Sequence, residues 1–258
     1  MIFDIKDIEI FILMLVRVTA ALAAMPIFGQ QGLPSMLKAG LGVLFVLLLF
    51  PVVPHVFPGP KDSLIVMFVL AVKETICGLL IGYATNAVFW AVEFAGAIIG
   101  YQTGFSIVAS IDPMTNIQNA VLGRIQYIMV ALIFLSMNGH HLFLSGLAQS
   151  FEIIPLGTLH LNPHLLQWIL GIAAGVSEMA IKLSAPIMVA LLMTDVGLGI
   201  LARVAPQMNI FVIGFSLKVG IVLVLMSSGM GTLAWLFTEH FSEFSRQFMV
   251  LIKLLGPA

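Results

Sequence analysis

Long apolar runs separated by short breaks rich in glycine and proline dominate the sequence. A run of about 20 apolar residues can cross about 30 Å of hydrocarbon as an α-helix. Runs near or above this length occur at residues 8–28, 39–57, 64–101, 120–147, 165–194 and 210–237. The pattern predicts an all-α, membrane-associated polytopic protein of about six hydrophobic segments packed as helical hairpins.

The third run is too long for one ordinary crossing. It is either a single helix, tilted or continuing beyond the bilayer, or two segments that meet near residues 83–86. The first run is preceded by acidic residues around a lone Lys6, whereas a signal peptide begins with a positive region. We therefore expect the first run to be a retained helix.

Composition supports a membrane protein and excludes several other classes. Hydrophobic residues make up 60% of the chain and charged residues 9%, against about 25% charged in soluble domains. A net charge of -1 offers no basic surface for a nucleic acid. The lone Cys77 and the histidine spacing give no disulfide or metal motif, and no nucleophile stands beside a base. We expect no nucleic acid partner, no metal or other cofactor and no enzymatic activity.

Ionisable residues inside the apolar runs must face protein or water, because each costs several kcal/mol against lipid. Glu178 and Lys182 are four residues apart and are predicted to pair on one helix face. For the individual residues, structural pairing is favoured over ion transport. The ionisable residues in question are Arg17, Lys73, Glu74, Glu93, Arg124, Glu178, Lys182, Asp195 and Lys218.

Glycines spaced four apart indicate close helix packing, because bare backbone lets another helix approach. Gly96, Gly100 and Gly104 form two overlapping G-x-x-x-G motifs. Residues 78 and 82 form another such pair, and residues 171 and 175 a further one. Packing is favoured over ligand binding for all of them.

Three stretches resemble one family. They are GYQTGFS at 100–106 running to Asp112-Pro113, FLSMNGHH at 134–141, and Pro186 and Asp195 followed by RVAPQMNIF at 203–211. In this order and spacing the chain resembles flagellar biosynthetic protein FliR and its injectisome counterparts in type III secretion export gates. The resemblance covers nearly the whole chain, so residues 1–258 are predicted to form a single export gate domain. The flagellar branch is favoured, with a virulence-type injectisome homologue as the alternative.

The resemblance implies a hetero-oligomeric helical assembly with FliP and FliQ, through which unfolded flagellar proteins are exported. It further implies the export components FlhB and FlhA as partners, contact with membrane lipid, and a location in the bacterial inner (cytoplasmic) membrane at the flagellar basal body. A small secondary transporter or channel is the rival from another class. Broken helices in two corresponding halves would favour it, and residues 1–118 and 119–258 show no convincing repeat.

In the family, a loop after the first motif plugs the closed channel, and here it corresponds to residues 105–118. Its mixed composition suits that role, since irregular backbone at membrane depth must be buried in protein or line a water-filled cavity. An ordinary solvent loop is the alternative. The predicted plug residues are Phe105, Ser106, Ile107, Val108, Ile111, Asp112, Pro113 and Met114.

A second polar segment is predicted to be a turn that contacts another subunit. Pro206 biases Ala205 away from helix, which favours a break. We hypothesise that Asp195 and Arg203 fix this turn. The predicted contact residues are Asp195, Arg203, Pro206, Gln207 and Asn209.

Overall fold

The computed structural model describes residues 5–29, 34–53, 64–105, 120–160 and 162–256. Over these ranges it contains helices and no strand, which confirms the all-α prediction. The helices are α1 (Ile5–Ala24), α2 (Ser35–Leu49), α3 (Leu64–Thr103), α4 (Ala120–Ser136), α5 (Gly139–Ile153), α6 (Pro163–Val204) and α7 (Ile210–Leu255).

Three of the described helices are long and apolar enough to cross a membrane. They are α3, α6 and the Ile210–Glu239 part of α7, and the broken pair α4 and α5 gives a fourth candidate if it counts as one span. The membrane-protein prediction is confirmed. Two of the six predicted runs do not qualify, because α2 has only 15 residues and α1 carries Arg17 together with acidic residues near its start.

The third run forms one continuous helix of 40 residues, which decides between the two alternatives left by the sequence. At 1.5 Å per residue, α3 is about 60 Å long, roughly twice the hydrocarbon thickness. The last two helices also continue beyond their predicted runs, with 42 residues in α6 and 46 in α7. Each of these helices therefore has to tilt strongly or extend beyond the hydrocarbon.

A break divides the apolar run at 120–147 into α4 and α5, which together form one candidate span with a bend. Asn138 has a φ of 57°, in the left-handed region that asparagine tolerates better than most residues. Asn138 therefore forms the turn between the two helices, and Gly139 begins α5. Gly139 lies against the ring of Phe134, so the position has no room for a Cβ atom.

The chain divides into two compact units. Unit 1 comprises Met1–Ala87, Phe134–Ala173 and Phe241–Ala258. Its core includes the fully buried Leu13 of α1, and Phe143 of α5 packs on Phe248 of α7 with ring centroids 6.5 Å apart.

Unit 2 comprises Val88–Ile133 and Ala174–His240, and its core joins α3, α4, α6 and α7. The prediction of a single domain stays a prediction. The buried cluster of this unit consists of Ile99, Leu122, Ile187, Leu191, Val222 and Met226.

The glycine motifs fall into two groups. In unit 1, a Cβ on Gly82 would lie 2.6 Å from the Cβ of Ala24, so α3 packs closely on α1 as predicted. In unit 2, a Cβ on Gly96 would lie 2.6 Å from the backbone nitrogen of Gly123, which brings α3 against α4. Gly171 and Gly175 on α6 have no such neighbour within 4 Å. Within the described chain, these two glycines therefore pack against no helix.

Candidate functional site at the end of helix α3

Most of the predicted plug lies outside the described residues. This applies to Ser106, Ile107, Val108, Ile111, Asp112, Pro113 and Met114. Phe105 is described, and so is the end of α3 that leads into the segment. The candidate site is therefore built from the residues around the end of α3.

Gly104 ends α3 through its backbone conformation. Its φ is 101°, which glycine adopts without steric cost, and its N–H donates to the carbonyl oxygen of Tyr101 at 3.1 Å. A Cβ on Gly104 would meet only Phe215, at 3.8 Å. Gly104 thus supplies the left-handed residue that ends the helix, and the close helix packing predicted for it stays a prediction. Gly100, one turn earlier, is buried inside α3.

Phe105 is held by an aromatic contact immediately after that turn. Its ring meets the ring of Phe215 on α7 edge to face, with centroids 5.5 Å apart and planes at 79°. This geometry suits the aromatic quadrupole. Phe105 also packs on the buried cluster of unit 2. The first residue of the predicted plug is therefore attached to the body of its unit.

Three polar side chains meet beside this contact, and we call Gln102, Asp195 and Lys218 the Lys218 cluster. The ammonium Nζ of Lys218 lies 2.5 Å from Oδ1 of Asp195. Lys218 Nζ also donates to the backbone carbonyl of Gln102 at 3.4 Å, and Gln102 Nε2 donates to Asp195 Oδ2 at 3.4 Å. The cluster connects α3, α6 and α7 through one positive and one negative charge.

Burial of the cluster is uneven, because the Lys218 side chain is 16% exposed and that of Asp195 is 40% exposed. A cavity of about 300 Å³ adjoins it. Its lining includes Thr103, Leu198, Phe211 and Phe215 together with both charged residues. Packing around the end of α3 is therefore incomplete.

The segment between α6 and α7 is a turn, as the position of Pro206 predicted. Arg203, Pro206, Gln207 and Asn209 are all exposed, and Asn209 Oδ1 accepts the N–H of Val212 at 3.4 Å near the start of α7. Asp195 is not part of this turn. It lies inside α6 and pairs with Lys218, so its described contacts do not support a joint role with Arg203. Contact of the turn with another subunit stays a prediction.

A second set of buried polar groups lies in unit 1, and we call Arg17 and Glu74, with the groups they bind, the Arg17 cluster. Both side chains are 1% exposed, and Arg17 Nε donates to Glu74 Oε2 at 2.5 Å. Arg17 Nη1 donates to the carbonyls of Ser150 and Ile154 at 3.1 and 3.0 Å. Glu74 Oε1 accepts the N–H of Gly157 at 2.7 Å. The cluster fully satisfies its charges, which is typical of a structural role.

The predicted pair of Glu178 and Lys182 is confirmed, with 2.6 Å between Lys182 Nζ and Glu178 Oε1. It differs from the Arg17 cluster in exposure, because its side chains are 66% and 58% exposed. An exposed pair on an otherwise apolar helix has to meet water or another protein rather than lipid. Among the described residues, no group of three or more His, Cys, Asp or Glu is arranged to hold a metal.

Comparison with known proteins decides the family. The model of the family described as bacterial export proteins, family 1, matches residues 8–244. The chain belongs to this family. It is 31% identical to flagellar biosynthetic protein FliR of Bacillus subtilis (strain 168) over 249 residues, which covers 95% of each chain. It is 32% identical to FliR of Escherichia coli (strain K12) over 242 residues, or 94% of this chain and 91% of that protein.

A similarity to the virulence branch is also present. Surface presentation of antigens protein SpaR of Shigella flexneri is 32% identical over 152 residues, or 59% of each chain. The flagellar proteins are matched over much more of the chain than SpaR. The resemblance to the FliR family inferred from the motifs is therefore confirmed, and the chain is a membrane protein of a bacterial export family.

The sequence predicted that Asp195 and Lys218 need polar surroundings, but it did not predict that they meet in the Lys218 cluster. The signal was one charged residue inside an apolar run, Lys218, and two polar residues that directly follow other runs, Gln102 and Asp195. No spacing rule connects residues 93 or 116 positions apart. Only the packing of unit 2 brings them together.

Proposed function

We propose that this protein is a core subunit of the flagellar type III export gate. It assembles with FliP-like and FliQ-like subunits into a channel for unfolded flagellar proteins. FlhB and FlhA act as further export components, and the complex lies in the inner membrane at the flagellar basal body. The similarity to FliR over nearly the full length of both chains carries this proposal. No catalytic step is assigned to the chain.

The exposed surface of the two last helices supports assembly with partner helices. In the most apolar 18-residue stretch of α6, only 11% of the residues are buried, and the same share is buried in the corresponding stretch of α7. Glycines without neighbours, among them Gly171 and Gly175, lie on the same helices. Small residues at membrane helix surfaces promote close packing between helices. The exposed pair of Glu178 and Lys182 also favours protein rather than lipid on part of α6.

We further propose that residues 105–118 form the plug of the closed channel. The attachment of Phe105 to Phe215 and the left-handed turn at Gly104 support this assignment, since they give the segment a defined starting point. The exposed turn with Arg203, Pro206, Gln207 and Asn209 is proposed as a contact with a neighbouring subunit. Four exposed polar or turn-forming residues at one helix junction suit such a contact.

The test is purification of the chain in mild detergent after co-expression with its neighbouring membrane proteins, followed by mass measurement of the intact particle. We expect one discrete large complex that contains FliP-like and FliQ-like subunits. Omission of the FliP-like subunit is the matched control and should abolish that particle. A stable monomer or homodimer in the full co-expression would contradict the proposal and favour a transporter acting through its own helices.

A further inference from the structure

A cavity of about 370 Å³ lies within unit 2, between α4, α6 and α7. Its walls are mostly apolar, with Met129 on α4, Leu183 on α6 and Leu233 on α7 among them. Two hydrogen-bond acceptors interrupt these walls, one on Gln126 and one beside Pro186. The charged residues of the Lys218 cluster and the Arg17 cluster do not line this cavity, so it is a separate feature.

Gln126 is the most buried polar residue of the lining. It is 4% exposed, and its Oε1 is buried without a hydrogen-bond donor among the described residues. Gly96 on α3 leaves space for this amide, because a Cβ there would lie 2.9 Å from Oε1. The last torsion of a glutamine side chain is broad, so the amide can turn toward the cavity. A buried acceptor without a donor costs stability, so the chain alone gains nothing from this oxygen.

Pro186 adds a second acceptor through the backbone. A proline inside a helix has no N–H, so the carbonyl four residues earlier loses its usual donor. In α6 that carbonyl belongs to Lys182, and both residues line the cavity. Ser228 lines it as well, but its hydroxyl donates to the carbonyl of Leu225 at 3.1 Å. The lining therefore presents one side-chain oxygen and one backbone oxygen to a donor from outside the chain.

The surroundings of the cavity favour a protein helix over lipid as its occupant. An acyl chain has no donor for the two oxygens. The side chain of Lys182, paired with Glu178, is 58% exposed, so hydrocarbon at this edge would desolvate an ion pair. Gly229 of α7 also lines the cavity, and no atom lies within 4 Å of a Cβ added to it. Such bare backbone lets another helix approach closely.

We propose that the cavity accepts the carboxamide of an asparagine or glutamine on an apolar helix of a partner subunit. The two N–H groups of a carboxamide match the oxygens of Gln126 and Lys182 in number. Carboxamides form hydrogen bonds between membrane helices, where a charged side chain costs more. The inference rests on the proposed function, because the partner is a subunit of the export gate. It assigns to Gln126 the recognition of that partner.

Gln126→Met tests this role, because methionine has a similar length and lacks the amide. In the isolated chain in detergent, the melting temperature should stay the same or rise by roughly a few degrees, since the unpaired oxygen is gone. In the complex, the concentration at which half of the particles dissociate on dilution should rise roughly tenfold. A structural role within the chain would not produce these opposite effects.

Met129→Leu is the matched control, because it changes an apolar wall of the same cavity and keeps the amide. It should leave the dissociation unchanged, and Gln126→Asn, with a shorter carboxamide, should give an intermediate value. A lower melting temperature of the isolated Gln126→Met chain would overturn the proposal, since Gln126 would then serve the fold of the chain itself. Unchanged dissociation of the Gln126→Met complex would also overturn it and would indicate water as the partner of the amide.

A photoreactive side chain identifies the occupant directly. Thr232 lines the cavity and is exposed, so a benzophenone amino acid takes its place in the purified complex. Irradiation should join it to a peptide of the FliP-like or FliQ-like subunit that contains asparagine or glutamine. An adduct with phospholipid only, or with a peptide that lacks both residues, would overturn the proposal and leave the proposed function intact. If the unmodified chain forms no complex, both proposals fail.

Discussion

Glu74→Gln is expected to lower the free energy of unfolding of unit 1 by about 3–5 kcal/mol, because it leaves the charge of Arg17 buried without a counterion. Both side chains are 1% exposed, so water cannot take the place of the carboxylate. The amide oxygen can still accept the N–H of Gly157, but the amide NH₂ then replaces the oxygen that accepts from Arg17 Nε, so the variant removes both the counterion and one hydrogen bond. Thermal unfolding of the detergent-purified protein, followed by intrinsic fluorescence, measures the loss.

A double replacement gives the decisive comparison. Arg17→Met with Glu74→Leu removes both charges, so the double variant should be more stable than Glu74→Gln. It should stay less stable than the original, because the buried N–H of Gly157 and the carbonyl of Ile154 lose their side-chain partners. Glu178→Gln is the control, because its partner Lys182 is 58% exposed and stays hydrated. Equal stability of Glu74→Gln and the unmodified protein would contradict the structural role of the Arg17 cluster.

Gly78→Ala is expected to destabilise the contact between α1 and α3 by about 1–3 kcal/mol, the usual cost of overpacking. The new Cβ would meet the carbonyl oxygen of Arg17, the Cβ of Ala20 at 2.9 Å and the backbone nitrogen of Ala21 at 3.0 Å. Backbone atoms cannot rotate away as a flexible side chain would, so the helices would have to separate. The melting temperature and the yield of folded protein in detergent report this change.

Gly171→Ala is the matched control for that substitution, since no described atom outside its own turn lies within 4 Å of the added Cβ. In the isolated chain it should be neutral or stabilise by up to about 1 kcal/mol through helix propensity. Loss of assembly with the partner subunits would then reveal a helix packed on Gly171 in the complex. If Gly78→Ala and Gly171→Ala lost the same amount of stability, the close approach of α1 to α3 at Gly78 would not explain the loss.

The sequence predicts the helices well where an apolar run alone decides the structure. The run at 64–101 contains no proline, and it continues as one helix through Thr103. The run at 120–147 shows the limit of this reasoning, because apolar residues continue on both sides of Asn138 while the backbone turns there. Hydropathy records which residues avoid water, and it is insensitive to a single left-handed residue that redirects a helix.

The candidate site was less predictable, because ion pairs between distant helices depend on tertiary packing. The cost of a charge in an apolar run predicts that Arg17 needs a partner. It does not identify Glu74 as that partner, because Glu74 lies 57 residues away. Asp195 was assigned with Arg203 to the turn after α6, whereas the structure pairs it with Lys218 of the next helix. Local spacing identifies pairs such as Glu178 and Lys182 within one helix, and it carries no information on pairs between helices.

The Arg17 cluster has a consequence for the order in which the protein is made. Ribosomes release α1 before the groups that neutralise and bind Arg17. These groups are Glu74, 57 residues later, and the carbonyls of Ser150 and Ile154, still further along. Until those residues are synthesised, lipid is an unfavourable environment for the guanidinium of Arg17. Helix α1 therefore reaches its final place only after the chain has been translated as far as Ile154.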